Sequence, residues 1–122
     1  MKLFISYAHD NTYLVETLVV QILRDAGHDP WFDHSLIPGQ PWKDQLAEAI
    51  ESCDAFVYAL TPKSVESEYC RWEFEQAVKM GKPVVPVLLE KCTLPSDIGQ
   101  LQWVDFTEGA KGRSVARLLR GL

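Results

Sequence analysis

The sequence predicts an α/β protein, a five-stranded parallel sheet with helices on both faces. Three observations predict it. Apolar runs of strand length alternate five times with stretches of helical spacing, the pattern of parallel strands joined by crossovers. The run Ala55-Phe-Val-Tyr-Ala-Leu60 is apolar throughout, as suits a strand covered on both sides. Gly27 and Gly81 stand where helical stretches stop, the usual place for left-handed backbone.

Taken in order, Lys2-Leu-Phe-Ile-Ser-Tyr7 is the first strand, with Asp10 or Asn11 placed to cap the first helix. Leu14, Leu18, Ile22 and Leu23 recur at helical spacing up to Gly27. Pro30-Trp-Phe-Asp33 reads as strand 2, and the turn-rich residues 34–41 lead to a helix over 42–52 with Leu46, Ala49 and Ile50 inward. Strand 3 is 55–60. The segment after it, 61–65, connects to a helix that Gly81 ends. Residues 83–89 form strand 4, where Pro86 removes a ladder donor and implies an edge or a bulge. A weak fifth strand lies within 101–106, and 113–120 is the closing helix. With five strands the natural order is 2-1-3-4-5, giving a flavodoxin-like three-layer sandwich. Ligands in such sheets sit where the order reverses, at the carboxyl ends of strands 1 and 3. That places Ser6, Tyr7 and Ala8, with residues 60–62, at the expected crevice.

Composition narrows the possibilities. A chain of 122 residues favours one domain over 1–122, able to bury roughly two-thirds of its unfolded surface. Apolar content of 47% and charged content of 24% are those of a soluble globular protein, and neither a membrane span nor a signal peptide is visible. A net charge of −5 argues against a nucleic-acid polymer as partner, since phosphate binding needs a clustered basic face. Lys111, Arg113, Arg117 and Arg120 do cluster, but cations suit a last helix, and a solvated face accounts for them. Cys53, Cys70 and Cys92 are odd in number and lack CxxC spacing, so they read as reduced thiols in the cytoplasm. The three histidines make no metal-ligand pair, and no metal or cofactor is expected.

Several chemistries lack their motifs. No GxGxxG follows strand 1, and Gly109-Ala-Lys-Gly112 fails the phosphate-loop spacing. No GxSxG elbow is present. A phosphoacceptor receiver wants an aspartate at the end of strand 3, whereas Asp54 stands at its start.

The most informative segment is Ser67-Glu-Tyr-Cys-Arg-Trp-Glu73. Tyr69 and Glu73 are four residues apart, so an aromatic and an acid share one face near the start of a helix that comes after a buried strand. Alone, Glu73 could be a surface acid in a favourable macrodipole. Trp72 and Cys70 suit the core. Tyr7 suits packing as well as ligand contact.

Together these pieces resemble a TIR (Toll/interleukin-1 receptor) domain of the bacterial NAD⁺-cleaving type, over essentially the whole chain. Phe4-Ile5-Ser6-Tyr7, with His9-Asp10 after it, resembles the family's first box, and Asp33 through Ile37-Pro38-Gly39 its second. Ser67-x-Tyr69-Cys70-x-x-Glu73 is similar to the family's S-x-W-C-x-x-E segment, with tyrosine where tryptophan is usual. The resemblance implies NAD⁺ as substrate, Glu73 as catalytic carboxylate, and Ser6, Tyr7, Ala8, Asp33 and Tyr69 as substrate contacts. It implies an interaction loop of His34, Ser35, Leu36, Ile37, Pro38 and Gly39, although Gly39 and the prolines equally suit plain turns. It also implies self-association into a homo-oligomer or filament, an immune or cell-death role such as antiphage defence, and a C-terminal sensor domain in a longer chain. The product it implies is ADP-ribose or its cyclised form. The alternative within the resemblance is a non-catalytic signalling scaffold acting by TIR–TIR contacts.

Overall fold

Six consecutive buried residues, Ala55–Leu60, make the central strand β3, and the other four strands assemble around it. The computed structural model describes residues 1–31, 39, 41–109 and 111–122. The other strands are β1 (Lys2–Ser6), β2 (Asp29–Trp31), β4 (Val84–Leu88) and β5 (Val104–Asp105). All adjacent pairs are parallel and the order is β2-β1-β3-β4-β5, the order the sequence predicts.

Chain reversal between β1 and β2 uses a 3₁₀ turn at His9–Asn11, α1 (Thr12–Leu14), a π-helical stretch (Val15–Val20) and α2 (Gln21–Asp25). The π stretch carries Val15, Val19 and Val20, all buried. The remaining helices are α3 (Trp42–Ser52), α4 (Pro62–Glu66), α5 (Glu68–Lys79), α6 (Ser96–Gly99) and α7 (Gly112–Arg120). Gly27 and Gly81 adopt φ of 89° and 69° just beyond α2 and α5, so both helices stop where the sequence places the stop.

Two apolar layers flank the sheet. On one side Leu3, Ile5, Val57 and Val87 meet Val15, Val19, Leu23 and Leu118, which brings α2 and α7 together. On the other, Phe4, Phe56 and Tyr58 meet Leu46, Ile50, Phe74 and Ala77 of α3 and α5. Alternate residues of each strand serve opposite layers, as the period of two requires. Trp31, Phe4 and Phe56 lie in register on adjacent strands and stack with centroids 5.1 and 5.4 Å apart. Such pairs add about 0.5–1.5 kcal/mol each to simple burial.

Three local expectations give way. Pro86 lies within β4, an interior strand with no bulge there, but on the stretch that β5 does not reach. Leu88 turns its carbonyl to Phe106 on the β5 side, and Pro86, two residues earlier, turns its missing N–H the same way. There β5 pairs only Val87 and Leu88, so no ladder bond is lost. The weak fifth strand expected within 101–106 is Val104–Asp105, but the expected loop before it holds a short helix, Ser96–Gly99. Finally, neither Asp10 nor Asn11 caps the first helix by its side chain.

Candidate functional site

At the carboxyl ends of β1 and β3 the backbone leaves the sheet, and beyond β3 two helices begin in close succession. Thr61 opens α4 with a capping box: its hydroxyl accepts from the Ser64 amide at 3.1 Å, and Ser64 Oγ accepts from the Thr61 amide at 2.9 Å. Pro62 occupies the first turn, where its missing N–H costs nothing. Ser67 is extended (ψ 120°) and starts α5 by accepting from the Cys70 amide at 3.2 Å. The break at Ser67 sets the direction of α5, and α5 delivers Glu73 under the end of β1.

Glu73 is 1% exposed. Ser6 Oγ, itself fully buried, donates to Glu73 Oε1 at 2.8 Å. A buried carboxylate is costly unless charge-assisted hydrogen bonds replace its water, and Ser6 supplies one. Tyr7, next in sequence to Ser6, and Tyr69, one helical turn before Glu73, line a hollow of about 300 Å³ with Ala8, His9, Asp10, Lys63 and Ser67.

Aromatic rings wall the hollow on one side. Tyr69 stacks on Trp42 at 5.0 Å with planes 28° apart, and His9 meets Tyr69 edge-on at 6.4 Å. Tyr7 lies 6.1 Å from His9 and is almost fully buried. Trp42 also meets Trp72 edge-on at 6.0 Å, so α3 and α5 share an aromatic seam. The stacking area that tyrosine lacks at position 69 is thus extended by the half-exposed indole of Trp42.

Polar contacts tie the strand ends. Asn11 Oδ1 accepts from Thr61 Oγ1 at 2.8 Å, and Asn11 Nδ2 donates to Glu90 Oε1 at 3.3 Å. One side chain therefore joins the segments that leave β1, β3 and β4.

The structure therefore brings Ser6, Tyr7, Ala8, Tyr69 and Glu73 to one place. Ser6 and Glu73 lie beneath the surface, while Tyr7, Ala8 and Tyr69 line the hollow. Asp33, His34, Ser35, Leu36, Ile37 and Pro38 fall outside the described residues. Gly39 is an exposed turn residue with φ of 85°. The sequence places Thr61 at the crevice and His9 in the turn after strand 1, but gives no site role to Asn11, Trp42 or Lys63. Only Trp42 carried a signal, as a large aromatic at the start of a helix. Among the described residues no group of three His, Cys, Asp or Glu is placed to hold a metal.

A larger hollow of about 730 Å³ lies further along α5, lined by residues including Phe74, Val78, Lys79, Lys82, Asp97 and Leu101. Its acids and bases are partly or fully exposed, whereas the smaller hollow is lined by Tyr7, next in sequence to Ser6, and by Tyr69, one helical turn before the buried Glu73. Chemistry therefore favours the smaller hollow.

Comparison with known proteins agrees with this architecture. The family model described as "TIR domain" matches residues 3–119. Human Toll-like receptor 2 is 34% identical over 77 residues, covering 59% of this chain and 10% of the receptor. The chain thus spans about a tenth of the length of the curated relatives it matches. Among solved structures it is similar to the TIR domain of a Toll-related receptor from Hydra magnipapillata, with a TM-score of 0.82 at 18% identity over 97% of this chain and 91% of that one. It is also similar to a CMP N-glycosidase from Clostridium botulinum, with a TM-score of 0.71 at 18% identity and full coverage of both.

Proposed function

The chain belongs to the TIR-domain family, and from that premise we propose that it is an NAD⁺ glycohydrolase with Glu73 as its catalytic carboxylate. The observation that carries this reading is the acid itself: 1% exposed, hydrogen-bonded to Ser6, and one helical turn from Tyr69, which lines the hollow at the sheet's switch point. An acid with only a surface role has no reason to forgo water.

The chemistry suits a single carboxylate. In NAD⁺ the nicotinamide ring is a cation, and it takes the electron pair of the breaking C–N bond to leave neutral. No general acid is required. Positive charge develops on the ribose, and a carboxylate strengthens its interaction as that charge grows. Water then adds to the anomeric carbon and loses a proton, giving ADP-ribose, or the product's own adenine nitrogen adds and closes a ring. Ordinary glycosidases need a second carboxyl because their leaving alcohol must be protonated. Tyr69, backed by Trp42, offers a flat wall for a base, and Tyr7 and Ala8 line the same hollow. Asp33 is proposed as a further substrate contact. The CMP N-glycosidase that this chain resembles acts, by its name, on an N-glycosidic bond, which supports the same bond class on this fold.

In this conformation the carboxylate is buried and is not among the residues lining the hollow, so we assign a further step, contact with neighbouring copies, to its presentation. Residues 34–39 are proposed as part of that contact. The protein would act in the cytoplasm, in an immune or cell-death response such as antiphage defence, with a sensor domain in a longer chain. Among the described residues no helix is long and apolar enough to cross a membrane.

The test is nicotinamide release from NAD⁺ by the purified, artificially clustered chain. Glu73→Gln should lower the rate by about 10²-fold or more; equal rates would remove Glu73 from the mechanism. The similarity to Toll-like receptor 2, a receptor by name, favours a second reading, a signalling scaffold without catalysis. In that case the clustered wild type releases no nicotinamide.

A further inference from the structure

Six charged residues outside the crevice lining form two matched stripes. Asp44, Glu48 and Glu51 stand at i, i+4 and i+7 on α3, and all three are exposed. Arg113, Arg117 and Arg120 stand at the same spacing on α7, and these too are exposed. At 3.6 residues per turn each triplet falls within about 60° of arc, so each makes one stripe about 10 Å long. The opposite sides of the two helices face inward through Leu46 and Ile50 on α3 and Leu118 on α7. Because α3 packs on one apolar layer and α7 on the other, the stripes look out from opposite faces of the sheet.

The helix macrodipole accounts for Asp44, Arg117 and Arg120 but not for the full pattern. It favours acids in the first turn and bases in the last. Yet Glu51 lies in the last turn of α3, and Arg113 lies in the first turn of α7. Nor do internal ion pairs account for it: among the described residues none of the six enters one. Arg117 spends one N–H on the Trp103 carbonyl at 3.5 Å, leaving its other donors. Lys82 meets the carbonyl of Glu51, at 2.6 Å, and not its carboxylate.

We propose that the α3 and α7 stripes are the two halves of one contact between copies of this chain, with α7 of one copy laid on α3 of the next. Equal length, equal spacing and opposite sign make the second copy the matching partner. Since the halves lie on opposite faces they cannot meet within one copy. The contact is therefore heterologous and repeats head to tail. Like-signed stripes repel, which fixes the polarity of the stack. This contact stands apart from Glu73 and is read without any measurement of NAD⁺ cleavage.

Sedimentation velocity on the purified chain tests it. Association should be about tenfold weaker at roughly 500 mM than at roughly 50 mM salt, because exposed charges are screened. The triple variant R113E/R117E/R120E should be monomeric, and so should D44K/E48K/E51K. An equimolar mixture of the two should associate again, since each reversed stripe then finds its opposite. Circular dichroism confirms that both variants fold, as the exposure of all six positions leads one to expect. Association of either variant alone as strong as wild type, a mixture that stays monomeric, or a wild type that never associates would each overturn the proposal.

Discussion

The hydrogen bond from Ser6 to Glu73 joins residues 67 positions apart and lies wholly inside the protein. Removing a donor from a buried acceptor costs more than the mean worth of a hydrogen bond, because the acceptor keeps its desolvation penalty. Ser6→Ala should therefore lower stability by about 2 kcal/mol in urea denaturation. An unchanged midpoint would mean that the carboxylate finds another partner at no cost. At this scale the sequence singled out Glu73 through its spacing from Tyr69 and its likeness to a family segment. It did not reveal the burial. A helix turns one wide face inward, and spacing alone does not separate the floor of a crevice from its rim. The Ser6 hydroxyl and the Asn11–Thr61–Glu90 link are contacts across long stretches of chain, and no local period announces them.

Between elements, one tie stands out on the surface. Arg71 of α5 grips Asp97 of α6 with both terminal nitrogens, the Nη1–Oδ1 distance being 3.1 Å, and reaches Glu75 with Nε at 3.3 Å. Hydrogen bonding to Arg71 holds the Asp97 carboxyl below the usual aspartate range. The folded value is thus lower than the unfolded one. The tie stabilises the protein above the ordinary aspartate pKa, and the gain is lost as pH falls through the lowered value. Both partners are well exposed, so Asp97→Asn should cost less than about 1 kcal/mol. Thermal melts of wild type and variant should differ near pH 7 and converge near pH 2; a gap that persists in acid would assign the effect to packing. The sequence carried most of the elements because strands and helices advertise themselves by period, as Ala55–Leu60 and α3 do. It did not carry α6, whose four residues are too few to show a period. It misplaced Pro86, because whether a proline is tolerated depends on which neighbour its nitrogen faces, and that is settled only by pairing.

For the whole molecule, a net charge of −5 opposes association, and any assembly must overcome it through local contacts. If neighbouring copies present Glu73, the proposed NAD⁺ cleavage should depend on density. Tethering the chain on vesicles at about twentyfold higher surface density should raise the nicotinamide released per molecule, not merely the total. Strict proportionality to protein would mean that each copy carries a complete site. Crowding of this kind carries a hazard that Pro86 meets. Among the described residues the two-residue β5 leaves the first half of β4 unpaired on that flank, where a bare edge would invite a foreign strand, but Val85 and Pro86 are buried there and the flank is covered. The imide nitrogen there also withholds the donor such a strand would need. Copies gathered at high density are thereby steered away from amyloid-like zippering and kept to reversible contacts.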